Sequence, residues 1–294
     1  MQYDMNEWIG KRQVTEDEIS LTLVRRAAAM TDLDPAAFHR GNELPPHWYS
    51  MFFTPNARAS EIGHDGHPRK GDFLPPVPLP RRMFVGREVE FLRPLIIGAE
   101  ARKVSEIASI TPKSGRSGQL VFLQVKHTIE LDGEAAVVER QNVVYREATE
   151  PGAAPEASRE TPGAAAPAFA WEQALTIDPV QLFRYSALTW NGHRIHYDAD
   201  YARQQEGYPA CVMNGALTLH LLIGAAIGQA GDKRLKRLVA RLSSPLFLGD
   251  TIRLCGGPLA PAGDMLAMDA CAIGPGKRSA ATVQLQFSTP GSPA

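Results

Sequence analysis

Little in this sequence commits the chain to a disulfide scaffold, a charged partner or a membrane. Its three cysteines, Cys211, Cys255 and Cys271, are odd in number and show no CxxC spacing. That excludes a disulfide framework and a structural zinc site, and it suits a reducing, cytoplasmic compartment. Neither sign of charge is in excess, with 31 Lys and Arg against 32 Asp and Glu, so no field draws nucleic acid or an anionic membrane surface. No apolar run approaches the ~20 residues of a membrane helix. The opening Met1-Gln2-Tyr3-Asp4-Met5-Asn6-Glu7-Trp8 lacks the basic and apolar regions of a secretory signal. What is present is an ordinary globular composition, 44% hydrophobic over 294 residues. It suffices for two domains of roughly 120 to 150 residues, each with a core, and fits a small neutral or locally paired ligand.

Along the chain, the segment through about Ala37 carries a helix signal. Thr15 and Glu18 make a capping-box pattern, and Ile19, Leu23 and Ala27 recur at four-residue spacing. Leu44 to Phe53 reads as a short helix opened by proline and buried on its aromatic side. Thr54 to Pro80 is a loop rich in Gly, Pro and His, and its Gly63-His64-Asp65-Gly66-His67 tract reads either as plain surface or as metal ligands. From Met83 to Arg146 the period switches to strands, near 84–95, 100–111, 119–131 and 134–146, a meander with turns at Gly98, Ser114–Gly118 and Asp132-Gly133. Ala148 to Pro167 has no aliphatic larger than Ala and no aromatic, the composition of a linker. A strongly apolar helix spans Asn214 to about Gly228 and is expected to be buried on most sides. Strands follow near 237–246, 250–258, 264–273 and 279–288. Glu90–Ala99 and Arg241–Asp250 share Pro-Leu-apolar-apolar-Gly at a strand end, and each begins a run of strands after helix-forming sequence. The chain therefore reads as a duplicated domain.

Proton-handling chemistry concentrates in Phe183 to Asp198, where Asn191-Gly192-His193-Arg194-Ile195-His196 sets two imidazoles three residues apart. An imidazole with a pKa near ~6.5 serves as acid or base near neutral pH. The amide of Gly215, at the amino end of the long helix, points a free N–H and the positive end of the dipole outward, which suits an oxygen that gains negative charge, and a glycine there allows close approach. Arg194 pairs either with Asp198 or with a substrate carboxylate. His193 with His196 as a metal pair lacks a third ligand at fitting spacing, so no metal is expected. Tyr208 and Pro209 read as loop packing, with Tyr208 kept as a substrate-binding candidate. Arg81, Arg82, Arg234 and Lys236 meet either the phosphates of a ligand or solvent.

The loop, with Pro209 and Asn214-Gly215 downstream, resembles the MaoC-like or hydratase-2 branch of the hot-dog superfamily. There a Gly-Asp-x-Asn-Pro-(Leu/Ile)-His loop precedes a helix opening with His-Gly. The Asn-Gly-His-Arg-Ile-His-Tyr-Asp form is similar to the hydroxyacyl-thioester dehydratase type 2 subgroup, which includes mesaconyl-C4-CoA (3-methylfumaryl-CoA) and itaconyl-CoA hydratases. Gly41 to Trp48 and Phe73 to Met83 resemble its N-terminal domain. Aligned on the last histidine, the resemblance puts Asn191 on the family's catalytic aspartate, His193 on its asparagine, Arg194 on its proline, His196 on its catalytic histidine and Gly215 on the helix-opening glycine. Two departures matter. Asn191 orients water but accepts no proton at pH 7, which leaves both transfers to His196 or gives one to His193 or Asp198. Asn214 replaces the usual histidine.

The resemblance implies an α+β double hot-dog: residues 1–147 a non-catalytic domain for substrate and coenzyme A binding, 148–168 a flexible linker, and 169–294 the catalytic domain. It implies a hydro-lyase, adding or removing water across the α,β-double bond of an enoyl-CoA, with a C5 dicarboxylic acyl group of mesaconyl, itaconyl or citramalyl type. The expected catalytic residues are His196, Asn191 and His193; Gly215, Asn214, Gly192, Arg194 and Tyr208 are expected to bind the substrate and its oxyanion. No cofactor is expected. The expected partners are an acyl-CoA thioester and further copies of the chain, as a homo-oligomer such as a dimer, without nucleic acid or membrane. An acyl-CoA thioesterase and a non-catalytic acyl-CoA-binding subunit stay open as alternatives.

Overall fold

A computed structural model describes residues 5–115, 118–147 and 169–288. The expected linker, 148–168, lies outside them. For its described residues the chain divides into two compact units, Met1–Thr149 with Ala187–His193, and Glu150–Ser186 with Arg194–Ala294.

The first unit opens with strand β1 (Arg12–Glu18) and helix α1 (Leu21–Met30), then a 3-10 turn at Pro46–Met51. Strands β2 (Arg81–Phe91), β3 (Glu100–Gly115), β4 (Gly118–Leu131) and β5 (Glu134–Arg146) complete an antiparallel sheet in the order β1-β3-β4-β5-β2. The expected capping box at Thr15 and Glu18 is corrected here. Both residues lie in β1, paired with Lys103 and Glu100 of β3, and the helix begins after Ser20. Alternating exposure along β1 shows that the ladder with β3 overrides the local capping signal. Strand β2 ends at Phe91, earlier than expected, because Leu92 and Arg93 both donate to Ala136 O and Pro94 has no N–H to continue the ladder. The core of this unit collects Val77, Leu79, Ile107, Val121, Leu123, Val125 and Tyr145.

The second unit runs through β6 (Trp171–Thr176), α2 (Pro179–Leu188), α3 (Ala199–Gln204) and α4 (Gly215–Ala230). It then forms β7 (Leu235–Leu242), β8 (Thr251–Gly256), β9 (Ala260–Ala262), β10 (Met265–Ile273) and β11 (Ser279–Ser288). Its sheet order is β7-β11-β10-β8-β6, with β9 on β10. Helix α4 is ~24 Å long at 1.5 Å per residue and packs against β7, β8, β10 and β11. Leu217, Leu219, Leu222, Ile223 and Ala226 are buried around it, which is why its sequence is apolar nearly all round.

The two units repeat each other bond for bond. Leu44 N donates to Leu95 O as Met213 N does to Leu246 O, each at 2.8 Å, and Ile97 N donates to Asn42 O as Leu248 N does to Cys211 O, each at 2.9 Å. Isolated bridges join Glu43 to Ile96 and Val212 to Phe247. The shared glycines, Gly98 and Gly249, take φ of 90° and 89°, the left-handed region that a side chain resists. By this register Pro45-Pro46 corresponds to Asn214-Gly215. Where the second unit starts a 16-residue helix, the first has a six-residue 3-10 turn, and proline removes the N–H that glycine keeps.

Candidate active site

The 3-10 turn Arg194–His196 hangs on the segment before α4 by two bonds. Val212 N donates to Ile195 O at 2.8 Å, and His196 Nδ1 lies 2.7 Å from Val212 O. A carbonyl only accepts, so Nδ1 carries the proton and Nε2 carries the lone pair of the neutral ring. His196 is 8% exposed. Three residues beyond Val212, Gly215 begins α4, and its N–H is among the donors that a helix start leaves without intrahelical partners. A Cβ added at Gly215 would overlap Leu242 Cδ1, so β7 passes close by.

Asn214, the N-cap of α4, is 2% exposed, and its side chain makes no capping bond. Among the described residues neither its Oδ1 nor its Nδ2 has a hydrogen-bond partner. A buried carboxamide in that state is costly unless something else engages it. Six residues further along α4 stands His220, 4% exposed, its ring 6.1 Å from Tyr185. Burial pushes its pKa down to about 4, so the ring is neutral at pH 7. The sequence reading missed His220, since a histidine inside an apolar helix carries no signal of its surroundings.

The remaining candidates of this unit are engaged structurally. Arg194 binds Asp198 Oδ2 through Nη2 at 2.7 Å and Nε at 3.1 Å, with its guanidinium 4.2 Å from the Tyr201 ring centre. Of the two readings of Arg194, the structure shows the pair with Asp198. Asp198 Oδ1 also accepts from Tyr201 N at 2.9 Å, capping α3. The Tyr201 amide first, and then Arg194, hold the Asp198 carboxyl below its ordinary range, which makes it a poor base. Tyr208 packs on the cluster of Ile195, Tyr201, Ala202 and Val212, its ring 6.0 Å from Phe247.

Asn191, Gly192 and His193 belong to the first unit. Asn191 Oδ1 accepts from His193 N at 3.0 Å, so its carboxamide shapes the loop. The His193 ring lies 4.1 Å from that of His67, centre to centre. With Asp65 these two histidines form a group of donor atoms all within 4.8 Å of one another. Two segments more than a hundred residues apart build it, so no local spacing could have shown it.

A profile of hydroxyacyl-thioester dehydratase type 2 matches residues 47–248. The chain is 39% identical over 283 residues to the mesaconyl-C(4)-CoA hydratase of Chloroflexus aurantiacus, covering 96% of this chain and 98% of that one. It is 27% identical over 237 residues to the mitochondrial hydroxyacyl-thioester dehydratase type 2 of Schizosaccharomyces pombe, covering 72% and 77% respectively. Among solved structures, a MaoC-like dehydratase from Phytophthora capsici superposes with a TM-score of 0.72 at 15% identity, over 99% of this chain and 100% of that one. A double hot-dog protein of Mycobacterium tuberculosis gives 0.62 at 13% identity, over 95% and 96%. The repeated helix-and-sheet unit is thus the double hot-dog fold.

Proposed function

The chain belongs to the hydroxyacyl-thioester dehydratase type 2 family and is a hydro-lyase of acyl-CoA thioesters, and from that premise we propose that it hydrates a C5 dicarboxylic enoyl-CoA of the mesaconyl class. The relative that shares 39% of its residues over nearly full length supports this acyl group. The observation that carries the site is the bond from His196 Nδ1 to Val212 O, which fixes the tautomer of the imidazole and ties it to the segment that leads into α4.

In the reaction we propose, His196 Nε2 takes a proton from water as the water oxygen bonds to the β-carbon. The double-bond electrons move onto the thioester oxygen, and the N–H of Gly215 with the positive end of α4 stabilises that enolate. The imidazolium then protonates the α-carbon and the carbonyl re-forms. Water has been added across the double bond, and the histidine ends as it began. Asn214, buried without a partner in its own unit, is assigned to a polar group of the substrate. The second unit carries the chemistry in this reading, because Pro46 in the first offers no amide where Gly215 does. Residues 1–147 are assigned to substrate and coenzyme A binding.

The test is mass-spectrometric detection of an 18-dalton gain or loss over a panel of enoyl-CoA and 3-hydroxyacyl-CoA substrates, with release of free thiol followed alongside. Thiol release without the mass change would replace hydration by thioester hydrolysis. Among the described residues no helix is long and apolar enough to cross a membrane. We place the protein in the cytoplasm, a reading that three cysteines without CxxC spacing suit. Cell fractionation tests that placement, and sedimentation tests the homo-oligomer that the fold resemblance implies.

A further inference from the structure

The turn at residues 63–67, which the sequence alone leaves as surface or as metal ligands, is built against the loop that leads to His196. Gly63 N donates to His67 O at 2.7 Å and Gly66 N to Gly63 O at 3.0 Å, closing the turn. Inside it, Asp65 accepts twice from His67, at Oδ1 from the backbone N–H and at Oδ2 from ring Nδ1, each at 3.0 Å. The His67 ring meets the His193 ring at 4.1 Å with a 45° tilt. The backbones approach as closely: a Cβ on Gly66, whose φ is +90°, would overlap the carbonyl of Gly192, and one on Gly192 would stand 3.0 Å from Gly66 O. Only two glycines allow this contact.

The loop so gripped needs holding. Trp190 has a φ of 51°, a strained value for an aromatic residue that persists only where the surroundings over-determine it. Its own ring does not supply the anchor, being 71% exposed. The Asn191 bond to His193 N and the close approach of the 63–67 turn both hold the loop.

Two chemistries fit Asp65, His67 and His193. Ligation of a cation is the weaker. The donor atoms all lie within 4.8 Å of one another, but ligation would take His67 Nδ1 and Asp65 Oδ2 out of the hydrogen bond that they already share. The carboxylate–imidazole pair needs no rearrangement. With Nδ1 donating to Asp65, His67 keeps one tautomer and one ring orientation, as the carboxylate partner of a histidine does in many sites. Burial would push the Asp65 carboxyl up, but the two hydrogen bonds from His67, with the charges of His67 and His193, hold it below the usual carboxylate range. Lys70 also senses the Asp65 charge and that of Arg82.

We propose that the Asp65-Gly66-His67 turn is a positioning element for the hydration reaction: Asp65 fixes His67, and His67 with Gly66 fixes the Asn191-Gly192-His193 loop and the attitude of the His193 ring. The proposal rests on the hydratase reading, in which this loop leads into the turn that carries His196. It assigns function to a segment far from the motif.

The experiment compares the full-length protein with His67→Ala, Asp65→Ala and Asp65→Asn in hydration kinetics, thermal unfolding and histidine-selective 1H–15N NMR across pH. The expected result is a fall in kcat of roughly ten- to a hundredfold for His67→Ala and Asp65→Ala, with KM within about twofold and unfolding temperature little moved. Asp65→Asn recovers part of the rate, because its amide oxygen still accepts from His67 N–H. The His193 ring signals and their titration midpoint shift in His67→Ala. Unchanged kcat, unchanged His193 signals, or a rate loss that tracks unfolding would overturn the proposal. So would one equivalent of Zn2+ bound by the chelator-treated protein and lost in His67→Ala, which would put ligation in its place. If the wild-type protein hydrates no enoyl-CoA, the functional reading fails by itself, while the NMR comparison still decides whether His67 governs His193.

Discussion

His196 is fit for proton transfer because of what its other nitrogen does. With Nδ1 bound to Val212 O, removing the ring leaves water without an acceptor, and His196→Ala is expected to lower kcat by a factor of ~10² to 10⁴ in the hydration assay. Asn214 separates site from scaffold in a different way. Its carboxamide is buried and unpartnered among the described residues, so Asn214→Leu, similar in shape, is expected to leave stability unchanged or slightly raised while substrate affinity falls. A denaturant titration paired with KM measurement checks both; a marked loss of stability would show that the amide is structural. The residue types in the 191–198 loop were legible from the sequence, but their partners were not. Asn191 reads as an orienter of water and is found bonded to His193 N, and Arg194 was open between two partners until the bond to Asp198 appeared.

Helix α4 and its counterpart show what an element adds. Its sixteen residues are apolar enough to be read as a long helix from sequence, and the matching Pro46–Met51 turn was legible as a short proline-opened helix with a buried aromatic side. Gly215→Ala puts a Cβ against the flexible end of Leu242, so a loss of roughly 1 to 3 kcal/mol is expected in equilibrium unfolding, together with slower turnover. His220 gives α4 a pH dependence. Its pKa in the folded chain is about 4, against ~6.5 when exposed. Above pH ~6.5 the ring is neutral folded and unfolded, and its contribution is fully present. As pH falls toward 4 the unfolded chain takes up a proton that the folded chain refuses, and stability drops by a total of about 3 kcal/mol. Urea unfolding at pH 7.5 and pH 5 is expected to show this loss in the wild type and a flatter response in His220→Gln. The first strand was misread for a reason that belongs to this scale: the Thr15–Glu18 capping signal is weaker than a seven-residue ladder with β3.

At the scale of the molecule, an acyl-CoA that binds only the folded chain at a hundred times its Kd stabilises it by ~2.7 kcal/mol. A non-reactive acyl-CoA is therefore expected to raise the unfolding temperature by a few degrees, and free coenzyme A by less; equal shifts would remove the acyl group from recognition. Strand alternation from Met83 to Arg146, the apolar run of α4 and the repeated Pro-Leu-x-x-Gly are properties of neighbouring residues, and they determined two sheet-bearing units and one long helix before any coordinates. The tautomer of His196, the idle carboxamide of Asn214 and the grip of Gly66 on Gly192 depend on segments that meet only when the chain is packed. Periodicity along a chain records which face of an element is buried, and it holds no record of which distant atom that face will touch.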